Sequence, residues 1–343
     1  MIRKVVNVKM MKKLFPLKTG NLLCPWLKQQ NAPGPKFSIC YRSFQRPNHS
    51  VKSDYTTEQK GSLYDENYRL YLKNSSGDVI SPFHDIPLHT KEGGIYNMIV
   101  EVPRWSNAKM EISTTEKLNP IKQDVKNGQL RFVANCFPHN GYLWNYGALP
   151  QTWEDPSHLN ALTQTKGDSD PIDICEIGSM IHSTGSVIQV KLLGILALID
   201  EGETDWKIIG IDVNDPISNE LDNIEDVEKK MPGLLKATVK WYRYYKTPFG
   251  SPPNDFAFGG KIQDREFTHR IVEEVNLQWK ALMEDNSGSN LHIEKSCTTY
   301  DCLHKISPYE AMYALQQKQA KGNTKICHSD VNRWHYIPEL IDM

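Results

Sequence analysis

The chain has 343 residues, of which 39% are hydrophobic and 24% charged, fractions that are typical of a globular protein with one large domain or two ordinary ones. Its longest apolar stretch, around residues 187–199, is interrupted by Gln189, Lys191 and Gly194, so the sequence predicts no segment of the roughly 20 apolar residues that span a bilayer. The net charge is −1, but residues 1–53 contain eleven Lys or Arg and no acid, which leaves the other 290 residues at −12, too acidic for the basic surface that nucleic-acid binding requires.

The basic segment at residues 1–53 differs in composition from the rest of the chain. It combines scattered apolar residues with Ser, Thr and Asn, and it lacks an uninterrupted apolar core. This composition resembles a mitochondrial transit segment more than a secretory signal. We therefore expect a leader outside the folded domain and a mature protein in the mitochondrial matrix. The alternatives are a basic arm that stays attached and a cytoplasmic location.

Short runs with a β pattern are separated by turn-rich sequence from about residue 65 to 215. The clearest are YRLYLKN, IYNMIVEV, QVKLLGILALID and WKIIGIDV. Closely spaced strands of this kind predict a barrel. The last two runs are joined by EGETD, a connection of hairpin length that contains Gly, so Asp200 and Asp205 are expected near one hairpin mouth.

The pattern becomes helical after Asp215. In PGLLKATVKWYRYYK, Pro232 suits a first helical turn, and Leu235, Val239 and Tyr242 recur at helical spacing. A second helix is predicted over about 264–284, and its apolar face is expected to pack against the barrel. That face consists of Phe267, Ile271, Val275, Trp279 and Leu282.

The C-terminal part of the chain, residues 286–343, is predicted to be an extension of the 54–285 domain. It is polar and turn-rich up to about residue 305. Ser307 and Glu310 then form a capping box before a short helix that is predicted to run to about Gln319.

The seven cysteines are odd in number and irregularly spaced, and they match neither a zinc motif nor a disulfide framework. A reducing compartment is the simplest interpretation. Cys297 and Cys302 are five residues apart, but no second pair of Cys or His lies at metal-binding spacing, so they are interpreted as ordinary thiols.

The segment GDSDPIDICEIG places Asp168, Asp170 and Asp173 within six residues of each other. Like charges this close repel each other, and a divalent cation relieves that repulsion. A solvated acidic loop is the alternative, but Asp200 and Asp205 make a metal site the better interpretation. Ligands that are all oxygen favour magnesium, manganese or calcium over zinc.

Cations and phenols that suit a phosphate group occur among these acids. Each Arg or Lys taken alone is more consistent with an ordinary surface charge. If they converge, metals on one side of a phosphate and Arg or Lys on the other form the general arrangement for phosphoryl transfer. The candidates are Arg104, Lys109, Arg131, Tyr142, Tyr146, Tyr245 and Lys246.

Several long segments, in the same order, resemble the family I soluble inorganic pyrophosphatases of the eukaryotic type. They are SPFHDIPL, EVPRWSNAKMEI, LNPIKQD, GYLWNYGALPQTWEDP, DSDPIDICEIG and ALIDEGETDWK, and the similarity runs from about Tyr64 to Leu282. The resemblance implies an α+β fold that is mainly β, in which a five-stranded distorted OB-like barrel has helices packed outside. It also implies a homodimer that takes inorganic diphosphate as its substrate.

The resemblance implies a role for each site residue as well. Several Mg²⁺ ions are implied per site, with Asp168, Asp173 and Asp205 as ligands of the tightest ions and with Asp200 and Glu111 around additional ones. Asp170 is implied to hold or deprotonate the attacking water, and it forms the catalytic group with Arg131 and Tyr146. Diphosphate binding is implied for Lys109, Arg131, Tyr146, Tyr245 and Lys246, with Glu101 and Tyr142 in support. The implied reaction is an in-line attack by a metal-activated water, without a covalent intermediate.

The sequence departs from the family pattern at two positions. Ser169 stands where Asn or Gly is usual, and Phe249 stands where an acid is usual. Neither is a ligand or base position, but Phe249 follows Tyr245 and Lys246 and is expected to weaken substrate binding. Phe249 and the divergent tail also leave open an alternative function, that of a related chain kept as a subunit or binding partner of a larger complex.

Overall fold

The structure is a computed structural model, and it describes residues 54–285 and 292–341. The predicted leader at residues 1–53 therefore lies outside the described residues, and so do residues 286–291 and 342–343 of the predicted extension. Within the described ranges, no helix is both long enough and apolar enough to cross a membrane.

Strands make up most of the regular structure. In chain order they are β1 Thr56–Lys60, β2 Arg69–Lys73, β3 Val79–Ile80, β4 Ile95–Val102, β5 Met110–Ile112, β6 Ile121–Gln123, β7 Val125–Lys126, β8 Gln129–Leu130, β9 Asn135–Phe137, β10 Asn145–Ala148, β11 Lys166–Gly167, β12 Asp173–Glu176, β13 Val187–Asp200, β14 Glu203–Asp212, β15 Asp255–Phe256 and β16 Trp334–Tyr336. The α-helices are α1 Ile224–Lys230, α2 Leu234–Tyr244, α3 Arg265–Glu284, α4 Pro308–Gln316 and α5 Pro338–Ile341.

Five of these strands close into a ring. β14 pairs with β12, β12 with β10, β10 with β4, β4 with β13, and β13 pairs back to β14. Only the β12–β14 pair in the ring is parallel. This arrangement confirms the predicted fold class, which is mainly β with a five-stranded closed sheet.

The long hairpin of β13 and β14 closes the ring. Asp200 pairs with Glu203, and the two turn residues Glu201 and Gly202 have φ values of 51° and 92°. Two-residue hairpin turns favour the left-handed region, which Gly enters without steric cost. The predicted hairpin is therefore confirmed, and it carries Asp200 and Asp205 as expected.

Helix α3 covers one face of β13. Side chains of β13 alternate between two apolar clusters, and a bulge between Leu192 and Gly194 shifts this alternation by one residue. Leu193 and Leu198 belong to the larger cluster, whereas Ile195 packs with Ile271 and Val275 of α3. The predicted packing of this helix against the barrel strands is confirmed, and Asp264 caps its first turn through the N–H of Phe267.

The C-terminal residues pack onto the same compact unit. Ala311 and Leu315 of α4 are buried against Tyr71, Val79 and Leu118. β16 pairs with β9 in parallel register. The division of the chain after residue 285 stays a prediction.

Helix boundaries differ from the sequence expectations in three places. Pro232 precedes the N-cap Gly233 of α2 instead of lying in its first turn. The capping box of Ser307 and Glu310 is present, but α4 ends at Gln316. Helix α1 was not predicted, because its seven residues present only two buried apolar side chains.

A buried histidine links the barrel to the C-terminal segment and gives stability a pH dependence. His84 is fully buried, its Nδ1 accepts from Trp279 Nε1 at 2.9 Å, and its Nε2 lies 3.0 Å from the Glu294 carbonyl oxygen. The neutral ring therefore satisfies both neighbours. Burial lowers the pKa of His84 to about 4, against the nearby Asp85 carboxylate, which raises it.

We expect the free energy of unfolding to fall by about 3 kcal/mol as the pH drops from about 6.5 to about 4, because the unfolded chain takes up a proton there that folded His84 does not. Urea unfolding of wild type and of His84→Gln across this range measures the contribution. Gln can keep both hydrogen bonds and does not titrate, so its stability should fall less steeply. Parallel curves for the two proteins would contradict this role of His84.

Candidate active site

One cavity in the described part of the chain collects most of the residues that the sequence singled out. Twelve of the thirteen predicted site residues line it, and the thirteenth, Lys246, lies at its rim and contacts Asp200. The twelve are Glu101, Lys109, Glu111, Arg131, Tyr142, Tyr146, Asp168, Asp170, Asp173, Asp200, Asp205 and Tyr245. Their convergence is a fact of the fold, whereas the individual role of each residue stays a prediction.

The acids reach the cavity from the ends of ring strands and from the loop that precedes β12. Asp168 and Asp170 lie between β11 and β12, and the N–H of Asp170 donates to Asp168 Oδ1 at 3.0 Å. Asp173 begins β12, Asp200 ends β13, and Asp205 lies on β14. The fold thus brings Asp205 to the same cavity as Asp168, which lies 37 positions earlier in the chain.

The acidic loop contains a backbone feature that bears on the departure at Ser169. Ser169 has φ 75°, in the left-handed region that Asn and Gly enter more readily than other residues. Its N–H donates to the Glu154 carbonyl, and its own carbonyl accepts from Trp153 Nε1. The loop conformation is therefore held from both sides although the residue is Ser.

Ser169→Val is expected to lower the free energy of unfolding by about 1–2 kcal/mol, since a β-branched side chain is strained at this φ. Urea denaturation measures the loss. Ser169→Asn is the matched control and should be at least as stable as wild type, because Asn tolerates the left-handed region. Equal stability of the Val and Asn variants would show that this backbone strain is unimportant.

A lysine that the sequence analysis did not assign lies at the centre of the acids. Lys207 is 3% exposed, and its Nζ contacts the carboxylates of Asp173 and Asp205, the latter at 2.5 Å. Asp173 is its register partner on β12, and Asp205 is two residues earlier on the same face of β14. Lys207 Nζ also lies 3.2 Å from the phenol oxygen of Tyr146.

The other two cations that line the cavity, and Lys246 beside it, are each paired with an acid. Lys109 Nζ lies 2.5 Å from Glu111 Oε2, and Arg131 donates to Asp124 Oδ2 at 3.0 Å. Lys246 contacts Asp200, to which the Tyr245 hydroxyl also donates, at 3.3 Å. These pairs hold three positive charges and a phenol around the acidic group.

Burial and mutual repulsion shift the titration of the acids. Burial raises the pKa of Asp168 well above its usual range, and repulsion from Asp205 and Asp170 adds to the shift. Burial likewise raises the pKa of Asp170 to about 7, with Glu111 adding and Lys109 opposing. It raises the pKa of Asp205 to about 7 against the opposing charge of Lys207. The acids are therefore short of compensating positive charge.

The donor chemistry of the cavity fits hard divalent cations. Seven carboxyl groups and only three cationic side chains line it. Behind them, oxygens of Glu154, Asp168 and Asp205 lie within 4.8 Å of one another, and Glu154 Oε2 is buried without a hydrogen-bond partner. Ligands that are all oxygen suit Mg²⁺, Mn²⁺ or Ca²⁺, and such ions would offset the repulsion between the acids and any anion that enters the cavity.

Two residues discussed from the sequence are not part of this cavity. The Arg104 guanidinium donates hydrogen bonds to the backbone carbonyl groups of Glu176 and Gly178. Phe249 is exposed in a short 3₁₀ segment and does not line the cavity.

Sequence reasoning missed Lys207, Asp124 and Glu154. The signal for Lys207 was the alternation of Asp205 and Lys207, which places both side chains on one face of a strand. The signal for Asp124 was the Asn127-Gly128 turn between β7 and β8, a hairpin that places Asp124 opposite Arg131. Glu154 has no local pattern, and only the fold brings it to Asp168.

Comparison with known proteins gives one consistent result. A family profile described as inorganic pyrophosphatase matches residues 98–280. The chain is 54% identical to an inorganic pyrophosphatase of Homo sapiens over 286 residues, which are 83% of this chain and 98% of that protein.

Solved structures agree with the sequence relatives. An inorganic pyrophosphatase from Schistosoma japonicum is similar with a TM-score of 0.77 and 45% identity, over 82% of this chain and all of that one. A vacuolar soluble pyrophosphatase from Trypanosoma cruzi, solved without its N-terminal domain and in complex with PPi, is similar with a TM-score of 0.62 and 37% identity, over 79% of this chain and 98% of that one.

Proposed function

The chain belongs to the inorganic pyrophosphatase family and is an inorganic diphosphatase, and we propose that it hydrolyses diphosphate at the acid-lined cavity with the help of Mg²⁺. The observation that carries this proposal is the convergence of seven carboxyl groups with Lys109, Arg131 and Lys207 in one cavity. Acids to hold cations and basic side chains to hold phosphate are the two requirements of phosphoryl transfer to water.

The metal ligands are proposed to be Asp168, Asp173 and Asp205, with Asp200 and Glu111 around additional ions. Magnesium, when bound there, lowers the pKa of a coordinated water and neutralises phosphate charge. Lys207 competes for Asp173 and Asp205, so its ammonium group has to share these carboxylates with any bound ion.

Asp170 is proposed to be the general base. It lines the cavity, its carboxylate has no lysine or arginine partner within ion-pair distance in the described residues, and its N–H fixes it to Asp168. In the reaction, Asp170 accepts a proton of the attacking water, the water oxygen bonds to one phosphorus, and the bond between that phosphorus and the bridging oxygen breaks. The second phosphate leaves with the electron pair of that bond.

The basic side chains and phenols are proposed to bind the two phosphate groups. Lys109 contacts Glu111, Arg131 contacts Asp124, and Lys246 and Tyr245 both contact Asp200. Burial raises the pKa of Tyr146 and Tyr245 well above their usual range, and it raises that of Tyr142 to about 12, so these phenols keep their protons and can donate to phosphate oxygens.

Calorimetric titration of metal-free protein with Mg²⁺ tests the ligand assignment apart from catalysis. Wild type should bind more than one ion, and Asp173→Asn should lose at least one of them or bind it far more weakly. Asp301→Asn is the control, because its side chain is fully exposed on the C-terminal segment. Unchanged Mg²⁺ binding by Asp173→Asn would contradict the assignment.

A homodimer is part of the proposed function. Trp105, Pro138 and Leu143 line a groove that contains no formally charged side chain, and Phe137, which precedes Pro138 in the chain, is exposed with its ring against Trp334. Two copies of an acidic protein associate best through a neutral apolar surface. Trp105→Lys should convert a dimer into a monomer in analytical ultracentrifugation, and a monomeric wild type would contradict the proposal.

Mitochondrial import is proposed from the composition of residues 1–53, with a cytoplasmic protein as the alternative. Residues 1–53 fused to a fluorescent protein should direct it to the matrix. Cytoplasmic fluorescence would contradict the proposal. A role solely as a subunit of a larger complex is not favoured, since every predicted acid is present at the cavity.

A further inference from the structure

Two cysteine sulfurs lie next to each other in the C-terminal segment. Cys297 Sγ and Cys302 Sγ are 3.1 Å apart, so the ordinary-thiol interpretation from their spacing alone misses a direct contact. We propose that Cys297 and Cys302 form a redox-responsive dithiol, which closes to an intramolecular disulfide by exchange with a low-molecular-weight disulfide such as glutathione disulfide.

The two thiols differ in access to solvent. Cys297 is fully buried, whereas Cys302 is partly exposed. Burial raises the pKa of the Cys297 thiol, and its contact with Cys302 adds to the shift. Since the thiolate is the attacking species and has to meet a soluble disulfide, Cys302 reacts first.

The exchange proceeds in two balanced steps. The Cys302 thiol loses its proton to water and attacks one sulfur of glutathione disulfide, which breaks that disulfide and releases one glutathione thiolate. The Cys297 thiol then loses its proton, attacks Cys302 Sγ, and displaces the second glutathione thiolate. Two protein thiols are oxidised to one disulfide, and one glutathione disulfide is reduced to two glutathione molecules.

The backbone between the two cysteines is already held in place. The Asp85 carboxylate accepts hydrogen bonds from the N–H groups of Thr298, Thr299 and Tyr300, at 2.7–3.0 Å. Cys297 also pairs with Lys305 in an isolated parallel bridge. A turn fixed in this way keeps the sulfurs together, so closing the disulfide needs little rearrangement and chiefly restricts the unfolded chain.

A metal site is a poorer interpretation of the same pair. Structural zinc requires four ligands. Among the described residues, the only group of three metal-binding side chains within reach of one another is Glu154, Asp168 and Asp205, and it contains neither sulfur. Two thiols without a third ligand are suited to oxidation.

The disulfide is expected to change stability and to leave catalysis alone. The turn contacts Asp85 through its backbone, and the Tyr300 ring packs against Trp279. Neither Asp85 nor Trp279 lines the catalytic cavity. The oxidised protein should therefore melt a few degrees higher than the reduced one while its rate of diphosphate hydrolysis stays the same.

Peptide mapping by mass spectrometry tests the proposal on the reduced full-length protein after incubation with glutathione disulfide. Wild type should yield a peptide in which Cys297 is linked to Cys302. Cys297→Ser should instead retain one glutathione on Cys302, because the second step has lost its nucleophile. Cys327→Ser is the matched control, since Cys327 is also partly exposed, and it should form the 297–302 disulfide like wild type.

The disulfide-linked peptide and the melting temperature test the proposal without any measurement of diphosphatase activity. A linked peptide in wild type, together with a melting temperature that rises on oxidation and does not rise in Cys302→Ser, supports it. Wild type that keeps both thiols reduced, or that retains glutathione on Cys302 without closing the ring, overturns it. An oxidised wild type that melts at or below the temperature of the reduced protein overturns the stabilising role.

Discussion

Asp170→Asn is expected to lower the turnover number for diphosphate by about 10²–10⁴, because Asn keeps the size and the backbone hydrogen bond of Asp170 but cannot accept the proton of the attacking water. The same change removes one negative charge from a crowded group in which burial raises the pKa of Asp170 to about 7. Metal-free Asp170→Asn should therefore be at least as stable as wild type. Phosphate release and urea unfolding of both proteins measure the two effects.

If Asp170→Asn loses activity but keeps its stability, Asp170 acts as a base and not merely as a structural acid. Asp301→Asn should match wild type in both measurements, since its side chain is fully exposed. If Asp170→Asn turned over diphosphate at the wild-type rate, another group would have to accept the proton. If it were much less stable than wild type, the fall in rate would be no evidence about proton transfer.

Lys207→Met should lower both stability and turnover. Met has nearly the same length but leaves the buried carboxylates of Asp173 and Asp205 without their shared cation, and breaking a buried pair costs about 3–5 kcal/mol. The loss of a positive charge from the cavity should lower the turnover number by about 10²–10³. Urea unfolding and steady-state kinetics measure these changes.

Added Mg²⁺ distinguishes the two effects of Lys207. Divalent ions at Asp173 and Asp205 replace the missing charge, so the stability loss should shrink at saturating Mg²⁺ while the turnover stays low. The control is Lys229→Met, whose side chain is 72% exposed and whose stability should change by less than about 0.5 kcal/mol. A Lys207→Met protein with wild-type turnover would show that this lysine has no part in the reaction.

Local patterns in the sequence were sufficient for much of the fold. The Gly-containing connection between β13 and β14 predicted the hairpin, and the 3.6-residue period of apolar side chains predicted α3 to within one residue of its start. The acids Asp168, Asp170 and Asp173 were evident because three like charges rarely occur so close together without a cation. Each of these signals is contained within a short stretch of chain.

What could not be predicted depends on contacts between distant segments. Lys207 meets Asp173 only because β12 and β14 pair in parallel, and strand order cannot be deduced from the spacing of either strand. Glu154 reaches Asp168 and Asp205 through contacts that no local pattern encodes. The contact between Cys297 and Cys302 likewise depends on the turn that Asp85 holds.

The most direct test of the central claim is phosphate release from diphosphate by the purified full-length protein as Mg²⁺ is titrated from zero. The cavity has seven carboxyl groups against three cations, so we predict no turnover without a divalent ion and a rate that rises to saturation with Mg²⁺. A folded protein that hydrolyses no diphosphate at any Mg²⁺ concentration, or that hydrolyses it equally well without metal, would contradict Mg²⁺-dependent hydrolysis at this cavity.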